Sequence, residues 1–485
     1  MLAVFGFAAL LGCGPKAPPS AAAGDPQVGI PDTPPAPGPS SAFTPPVPEA
    51  QRTPAGHPVW ILPRTDLPLV SLRIVVPGGS VTDPAEHPGL TSLADAMLLR
   101  GAGDRDAAAF TAEADRRAIQ LRSWTARRAT VLEADFTADQ LDAALGLLAS
   151  AVLAPRFDTD ATQRLLDQRR TELREALDDP RSVASTLGWT LWFGPDHPYG
   201  HPTSGTVDGI DGLTAPQLAE SWTQRRAGGL HFVAVGDVEE AALQSAIDRH
   251  FSEGPKASGA LRLPSPGAGI TGGQPGRFFV DQPGASQTVL RVTLPAPSVS
   301  DPRVAPMQLG AFVLGGSFTS RLNRLLREEK GYTYGARAWP QHGPDYGMLV
   351  ASTNVFVDQT GPALADLVRL IDEARAGIDG DELRKAQSGS RTESIETAAS
   401  RSGIADELVR AMLDGLPPDA AARAARARAA TDETTVDAIL AELDLDKAQI
   451  IVVGDLESIR PAVEEAVAGG WTVLDKQGRP VEGTP

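Results

Sequence analysis

Short apolar runs recur along this chain at one fixed separation. Leu72-Arg-Ile-Val-Val-Pro77 is followed by Ser80-Val81-Thr82-Asp83-Pro84, and Leu290-Arg-Val-Thr-Leu-Pro295 by Ser298-Val299-Ser300-Asp301-Pro302. Further on, His231-Phe-Val-Ala-Val-Gly236-Asp237 matches Gln449-Ile-Ile-Val-Val-Gly454-Asp455. The displacement is 218 residues each time, from 72 to 290 as from 236 to 454, so the chain holds two copies of one domain.

Within each copy the apolar period changes from that of strands to that of helices. Val131 to Phe136 reads as a strand, and Asp139 to Leu153 and Asp160 to Leu177 carry helical spacing. The second copy repeats this, with a strand over Met348 to Phe356 and helices near 359–376, 379–413 and 418–443. Strands in pairs before runs of helix predict an α+β fold. It has two homologous αβ domains, each a mainly antiparallel sheet with helices on one face. The Gly-, Pro- and Ser-rich stretch from Gly254 to Gly276 is the linker between domains at 53–253 and 277–474, and 475–485 forms a tail. With one linker, the halves can close against each other around a cleft.

Composition narrows the function. The net charge of -17, with no basic block, argues against nucleic acid as a partner, because nothing would neutralise phosphates. Leu2 to Gly12 is an apolar run too short to span a bilayer and reads as the core of a secretion signal. Its Leu10-Leu11-Gly12-Cys13 ending resembles a bacterial lipoprotein box, which implies lipidation of Cys13, the one cysteine of the chain. Residues 1–13 are then the signal peptide with its lipobox cysteine, and 14–52, rich in Pro, Ala and Gly, a disordered tether. In the lipoproteins it resembles, an aspartate after the cysteine is the inner-membrane retention signal, so Gly14 there implies a cell-envelope protein on the outer membrane, facing the periplasm.

The stretch with most chemical promise is Gly315-Gly-Ser-Phe-Thr-Ser-Arg-Leu-Asn-Arg-Leu-Leu-Arg-Glu-Glu-Lys-Gly-Tyr-Thr-Tyr334-Gly335. Leucines at 322, 325 and 326 predict a helix that stops at Gly331, before an aromatic strand start. Arg327 and Tyr334 can then point the same way and hold a carbonyl oxygen that becomes negative. The same two residues also fit a solvated helix charge and a half-buried strand aromatic. The Gly-Gly, Ser-Arg-Leu, Leu-Arg-Glu, Gly, Tyr pattern resembles the later domain of the pitrilysin and insulinase (M16) zinc peptidase family. That resemblance implies two domains of the family's αβ type, and it puts binding and polarising of a substrate backbone on Arg327 and Tyr334.

The same resemblance implies a His-x-x-Glu-His motif on a helix soon after the first strands. Histidines at i and i+4 share a helix face and bind zinc, and the glutamate acts on its water. Here the matching stretch is Gly89-Leu-Thr-Ser92-Leu-Ala-Asp95-Ala96-Met-Leu-Leu-Arg-Gly101. Ser92 and Ala96 replace the histidines and Asp95 the glutamate, so no zinc is expected on this chain. The family's distant glutamate ligand falls on Glu175, which also reads as a solvated helix charge. Phe193-Gly-Pro-Asp-His197-Pro-Tyr-Gly-His201-Pro, then Gly205-Thr206, resembles a structural segment of the family. The intervening prolines and glycine argue against His197 and His201 sharing a helix face as a substitute metal site.

Some members of the family work as pairs in which one subunit lacks the zinc motif. The resemblance therefore implies a non-catalytic, peptide-binding subunit. It would act in a heterodimer with a zinc-bearing homologue, supplying Arg327 and Tyr334 for peptide hydrolysis. Two alternatives stand beside it: a stand-alone envelope protein that binds peptides, and a divergent metallopeptidase with other ligands. No Gly-x-Ser-x-Gly elbow or phosphate-cradling loop suggests different chemistry.

Overall fold

Leu69–Pro77, the first of the repeated runs, is buried at every position but its first, the charged Arg73 included. A strand buried on both sides needs a layer on each face of its sheet. The computed structural model describes residues 42–257, 262–265 and 273–481. Cys13, the leader and most of the tether lie outside the described residues, as do parts of the linker and the last residues of the tail.

The first sheet contains β1 (Glu49–Arg52), β2 (Pro58–Pro63), β3 (Leu69–Pro77), β6 (Gln120–Thr125), β7 (Ala129–Thr137) and β8 (His231–Gly236). β4 (Gly101–Ala102) and β5 (Arg105–Asp106) form a separate ribbon. The second sheet contains β9 (Gly276–Asp281), β10 (Gln287–Pro295), β11 (Thr333–His342), β12 (Gly347–Phe356), β13 (Gln449–Gly454) and β14 (Thr472–Leu474). Their spatial orders are β1-β2-β8-β3-β7-β6 and β11-β12-β10-β13-β9-β14. Pairing is antiparallel except where β2 meets β8 and where β9 meets β13 and β14. The repeat holds at the level of register: Ile74 faces Phe232 across β3 and β8, and Val292 faces Ile450 across β10 and β13. Glu49–Arg52, counted with the tether from sequence, is the edge strand of the first sheet.

The helices of the first half are α1 (Leu90–Met97), α2 (Ala107–Arg116), α3 (Leu141–Leu153), α4 (Thr159–Asp178), α5 (Pro180–Phe193), α6 (Val207–Ile210), α7 (Ala215–Arg226) and α8 (Glu240–His250). Those of the second are α9 (Val304–Ala311), α10 (Thr360–Ala374), α11 (Gly380–Ala399), α12 (Arg401–Leu413), α13 (Ala420–Ala430), α14 (Glu433–Leu440) and α15 (Leu456–Ala466). One face of each sheet is covered by helices of its own half, as expected: α3 and α8 over the first, and α9, α10, α14 and α15 over the second.

The other face is covered by a helix exchanged between the halves. Ile404, Ala405, Leu408, Val409 and Met412 of α12 pack on Val75, Val131, Val233 and Val235 of the first sheet. Val183, Ala184 and Leu187 of α5 pack on Val280, Val289, Ile451 and Val453 of the second. Each Val, Leu, Ile or Met side chain among these contributes roughly 1.5–3 kcal/mol over leaving it in water. The apolar helix positions recur at 221 residues, from 183 to 404 as from 187 to 408, so the exchange is reciprocal. The linker is therefore only one of several connections, and the two halves are braced rather than hinged on it.

The exchange explains why the single helix expected over 379–413 is two. Ser400 is extended, with φ -113 and ψ 151, and its hydroxyl accepts from the Gly403 N–H, starting α12 in a new direction. Asp179 does the same for α5 through the N–H groups of Arg181 and Ser182. A polar clamp reinforces α12. Arg73 meets Asp406 at 3.0 Å and Asp135 at 3.0 Å, with Glu133 at 3.8 Å. Its counterpart in the second half, Arg291, is 5% exposed and meets no carboxylate among the described residues. Burial lowers its pKa to about 10. Gly188 of α5 leaves room for it, since a Cβ there would lie 2.5 Å from Arg291 Nε.

Candidate functional site

The helix that would carry a metal motif, α1, begins where Asp83 takes up its free N–H groups. The Asp83 carboxylate accepts from Gly89 N at 2.7 Å and Thr91 N at 2.8 Å, and burial pushes its pKa up to about 6. Gly89, at φ 105, allows Gly205 to pass close by, and so ties the 193–206 segment to this helix start.

Asp95, on the following turn, is 1% exposed. One of its oxygens lies 2.8 Å from Arg225 Nη2 of α7, an ion pair out of line for a hydrogen bond. The other accepts from Thr125 Oγ1 at 2.5 Å and Thr130 Oγ1 at 2.8 Å. Burial pushes the Asp95 carboxyl up in pKa, while Arg225 and the two hydroxyls pull it down. Ser92 accepts at 2.7 Å from Arg169 of α4, which also donates to the Ser204 carbonyl at 3.1 Å. Ala96 packs on the apolar cluster between α1 and α4, and Glu175 is exposed on α4.

These residues do not fit a zinc ion. The family's motif requires two imidazoles, and a hydroxyl and a methyl stand in their places. The carboxylate beside them is already neutralised by a buried guanidinium. Arg169 and Arg225 were not singled out by sequence reasoning. The signal for Arg225 was present: it follows Leu218 and Trp222 at helical spacing and so falls on the buried stripe of α7.

The second candidate centre lies on the outermost strand of the second sheet. Gly315, in the π-helical turn Phe312–Gly316 that continues α9, is pressed so closely on β11 that a Cβ would lie 2.1 Å from Ala338 N. After the turn at Ser317–Ser320 the backbone coils into a π-helical segment, Asn323–Glu329, wider than the α-helix that leucine spacing predicts. Asn323 holds it to the strand, accepting from Ala336 N at 2.9 Å and donating to Ala336 O at 2.9 Å. Arg321 is tied to Glu382 and to the Gly377 carbonyl. Gly331, at φ 65, ends the segment as expected, and β11 begins at Thr333.

Arg327 lies on that coil with its guanidinium 3.7 Å above the ring of Phe318, itself 60% exposed. Tyr334 sits in a β-bulge between Thr333 and Ala336, is 81% exposed and meets Phe356 edge to face at 6.0 Å. The helix end and strand start are thus side by side. No hydrogen bond joins Arg327 to Tyr334 among the described residues; each leans on its own aromatic neighbour. Phe318 and Asn323 lay inside the singled-out stretch without being recognised.

His197 and His201 are held in turn structure. His197 Nδ1 accepts from Tyr199 N at 3.0 Å, and the carbonyls of Tyr199 and His201 accept from Arg127, each at 3.0 Å. Arg127 lies 3.7 Å over Trp189, and Tyr346 of the second half closes the aromatic group. Among the described residues no group of three or more His, Cys, Asp or Glu side chains could hold a metal.

Comparison with known proteins fits this geometry. The model "Insulinase (Peptidase family M16)" matches residues 62–190, and the model "Peptidase M16 inactive domain" matches residues 225–390. The chain belongs to peptidase family M16, and its later half is of the family's inactive-domain type. It is 25% identical over 318 residues to an uncharacterized zinc protease of Mycobacterium leprae, covering 65% of this chain and 70% of that one. It is 27% identical over 203 residues to the "Probable inactive metalloprotease YmfF" of Bacillus subtilis, covering 40% of this chain and 45% of that one. In fold it is similar to a peptidase M16 inactive domain from Pseudomonas fluorescens, with TM-score 0.75, 22% identity and coverage of 84% and 98%. It is also similar to a chain of complex III from Candida albicans, with TM-score 0.70, 13% identity and coverage of 86% and 99%.

Proposed function

We propose that this chain is a non-catalytic M16 subunit that binds peptides and completes the site of a zinc-bearing homologue in the cell envelope. The observation that carries the reading is the contrast between its two centres. Asp95 is consumed in a buried ion pair with Arg225, while Tyr334 stays exposed on the edge strand and Arg327 lies half-buried on the π-helical segment before it. In this reading the metal and the attacking water belong to the homologue, and Cys13 anchors the complex by lipid. The contribution of this chain is two hydrogen-bond donors, the Arg327 guanidinium and the Tyr334 hydroxyl. They hold the substrate carbonyl and stabilise its oxygen as negative charge grows there. The inactive-domain match and the relative named as an inactive metalloprotease support the non-catalytic part.

The test is cleavage of an unstructured peptide, with metal content, for the chain alone and mixed with a homologue that has intact His-x-x-Glu-His. Chelator-sensitive cleavage only on mixing is the expected result. Metal-dependent cleavage by the chain alone, surviving repurification, would overturn it.

A further inference from the structure

Positive charge approaches the face of α1 from two neighbouring helices, at the two motif positions that can accept a hydrogen bond. Arg225, from α7, is buried and reaches Asp95; Arg169, from α4, reaches Ser92. Arg225 is built in from every side. It donates to Thr130 Oγ1 at 2.5 Å and to the Gly78 carbonyl at 3.3 Å, and its Nε donates to Ser221 Oγ at 3.3 Å. Gly78 leaves space for its stem, since a Cβ there would lie 2.9 Å from Arg225 Cγ. A carboxylate as deeply buried as Asp95 needs a cation, and this one is supplied by the chain itself.

We infer that Arg225 is the resident cation of the former metal centre, a positioning residue that fastens α1 to α7 and the first sheet in place of a metal. The loss of zinc is then more than the loss of two histidines. A divalent ion placed on α1 would face two guanidinium groups, and Asp95 would have to leave its ion pair to meet it. Thr125 and Thr130 complete the centre by donating to the oxygen that Arg225 does not reach. The inference rests on the reading that the unaltered chain carries no zinc.

Two measurements on the whole chain test it. In the first, the motif is restored by Ser92→His, Asp95→Glu and Ala96→His, and bound zinc is counted after gel filtration. With both arginines kept, less than about a tenth of an equivalent should bind; adding Arg225→Met and Arg169→Gln should bring the count near one. Stoichiometric zinc with both arginines in place would overturn the inference, and so would a count that stays low after both are removed in a folded variant. Stoichiometric zinc on the unaltered chain would instead overturn the reading beneath it.

In the second, melting temperatures are compared for Asp95→Asn, Arg225→Met and the pair together. Each single change should lower the melting temperature by several degrees, and the loss in the double variant should be well below the sum of the two single losses. Strictly additive losses would mean that the two residues do not act as one unit. Arg225→Lys, which keeps the charge, should recover part of the loss and serves if Arg225→Met fails to fold.

Discussion

Arg73 and Arg291 stand at equivalent places on β3 and β10, but Arg73 is met by Asp406, Asp135 and Glu133 while Arg291 is met by no carboxylate among the described residues. Across the strand from Arg291 stands Ser352, where Glu133 stands opposite Arg73. The two exchanged helices are therefore fastened differently, α12 by charge and apolar packing and α5, among the described residues, by apolar packing.

Opposite outcomes follow for the two arginines. Arg73→Met strands three carboxylates near a buried face and should cost about 3–5 kcal/mol. Arg291→Met removes a buried cation that no carboxylate meets among the described residues, with only the Trp339 ring 6.0 Å away, and should be neutral or stabilising. Urea unfolding midpoints of the two variants measure the difference directly, and equal losses would contradict the asymmetry.

Acid stability should depend on His231. Burial lowers its pKa from 6.5 to about 4, so between those values the unfolded chain takes up a proton that the folded chain refuses. Stability is lost as the pH falls through that window, by at most about 3 kcal/mol at about 1.4 kcal/mol per pH unit. Asp83 runs the other way: its pKa is raised to about 6, so its contribution falls as the pH rises from about 4 to about 6. His231→Gln, the residue that the second half carries at Gln449, should make the wild-type loss between pH 6.5 and 4.5 shallower. Asp83→Asn should make it steeper.

Tyr334→Phe should separate function from folding. With the side chain 81% exposed, removing the hydroxyl should leave the melting temperature within a degree or two. If Tyr334 donates to the substrate carbonyl, turnover of the mixed complex should fall roughly 100-fold with zinc content unchanged. Unchanged turnover would remove Tyr334 from the proposed site.

Gly315→Ala tests the support of the same site. The added methyl would lie 2.1 Å from Ala338 N, backbone that cannot step aside without moving β11. A loss of about 1–3 kcal/mol is expected. Turnover of the mixed complex should fall with it, because the strand that carries Tyr334 shifts.

The repeat at 218 residues, the strand and helix periods, the stop at Gly331 and the absent histidines at Ser92 and Ala96 were all legible in the sequence. Each depends on neighbours along the chain or on the chemistry of one side chain, and such information survives without a fold. The break at Ser400, the exchange of α5 and α12, the π-helical coil that carries Arg327 and the bulge that presents Tyr334 were decided by tertiary packing. So was the meeting of Arg225 with Asp95, residues 130 positions apart that become partners only because α7 crosses behind α1. Periodicity says which face of an element is buried, but which other element covers that face is a choice among surfaces of similar apolar character. Shape and the pairing of buried charge make that choice once the whole chain has folded.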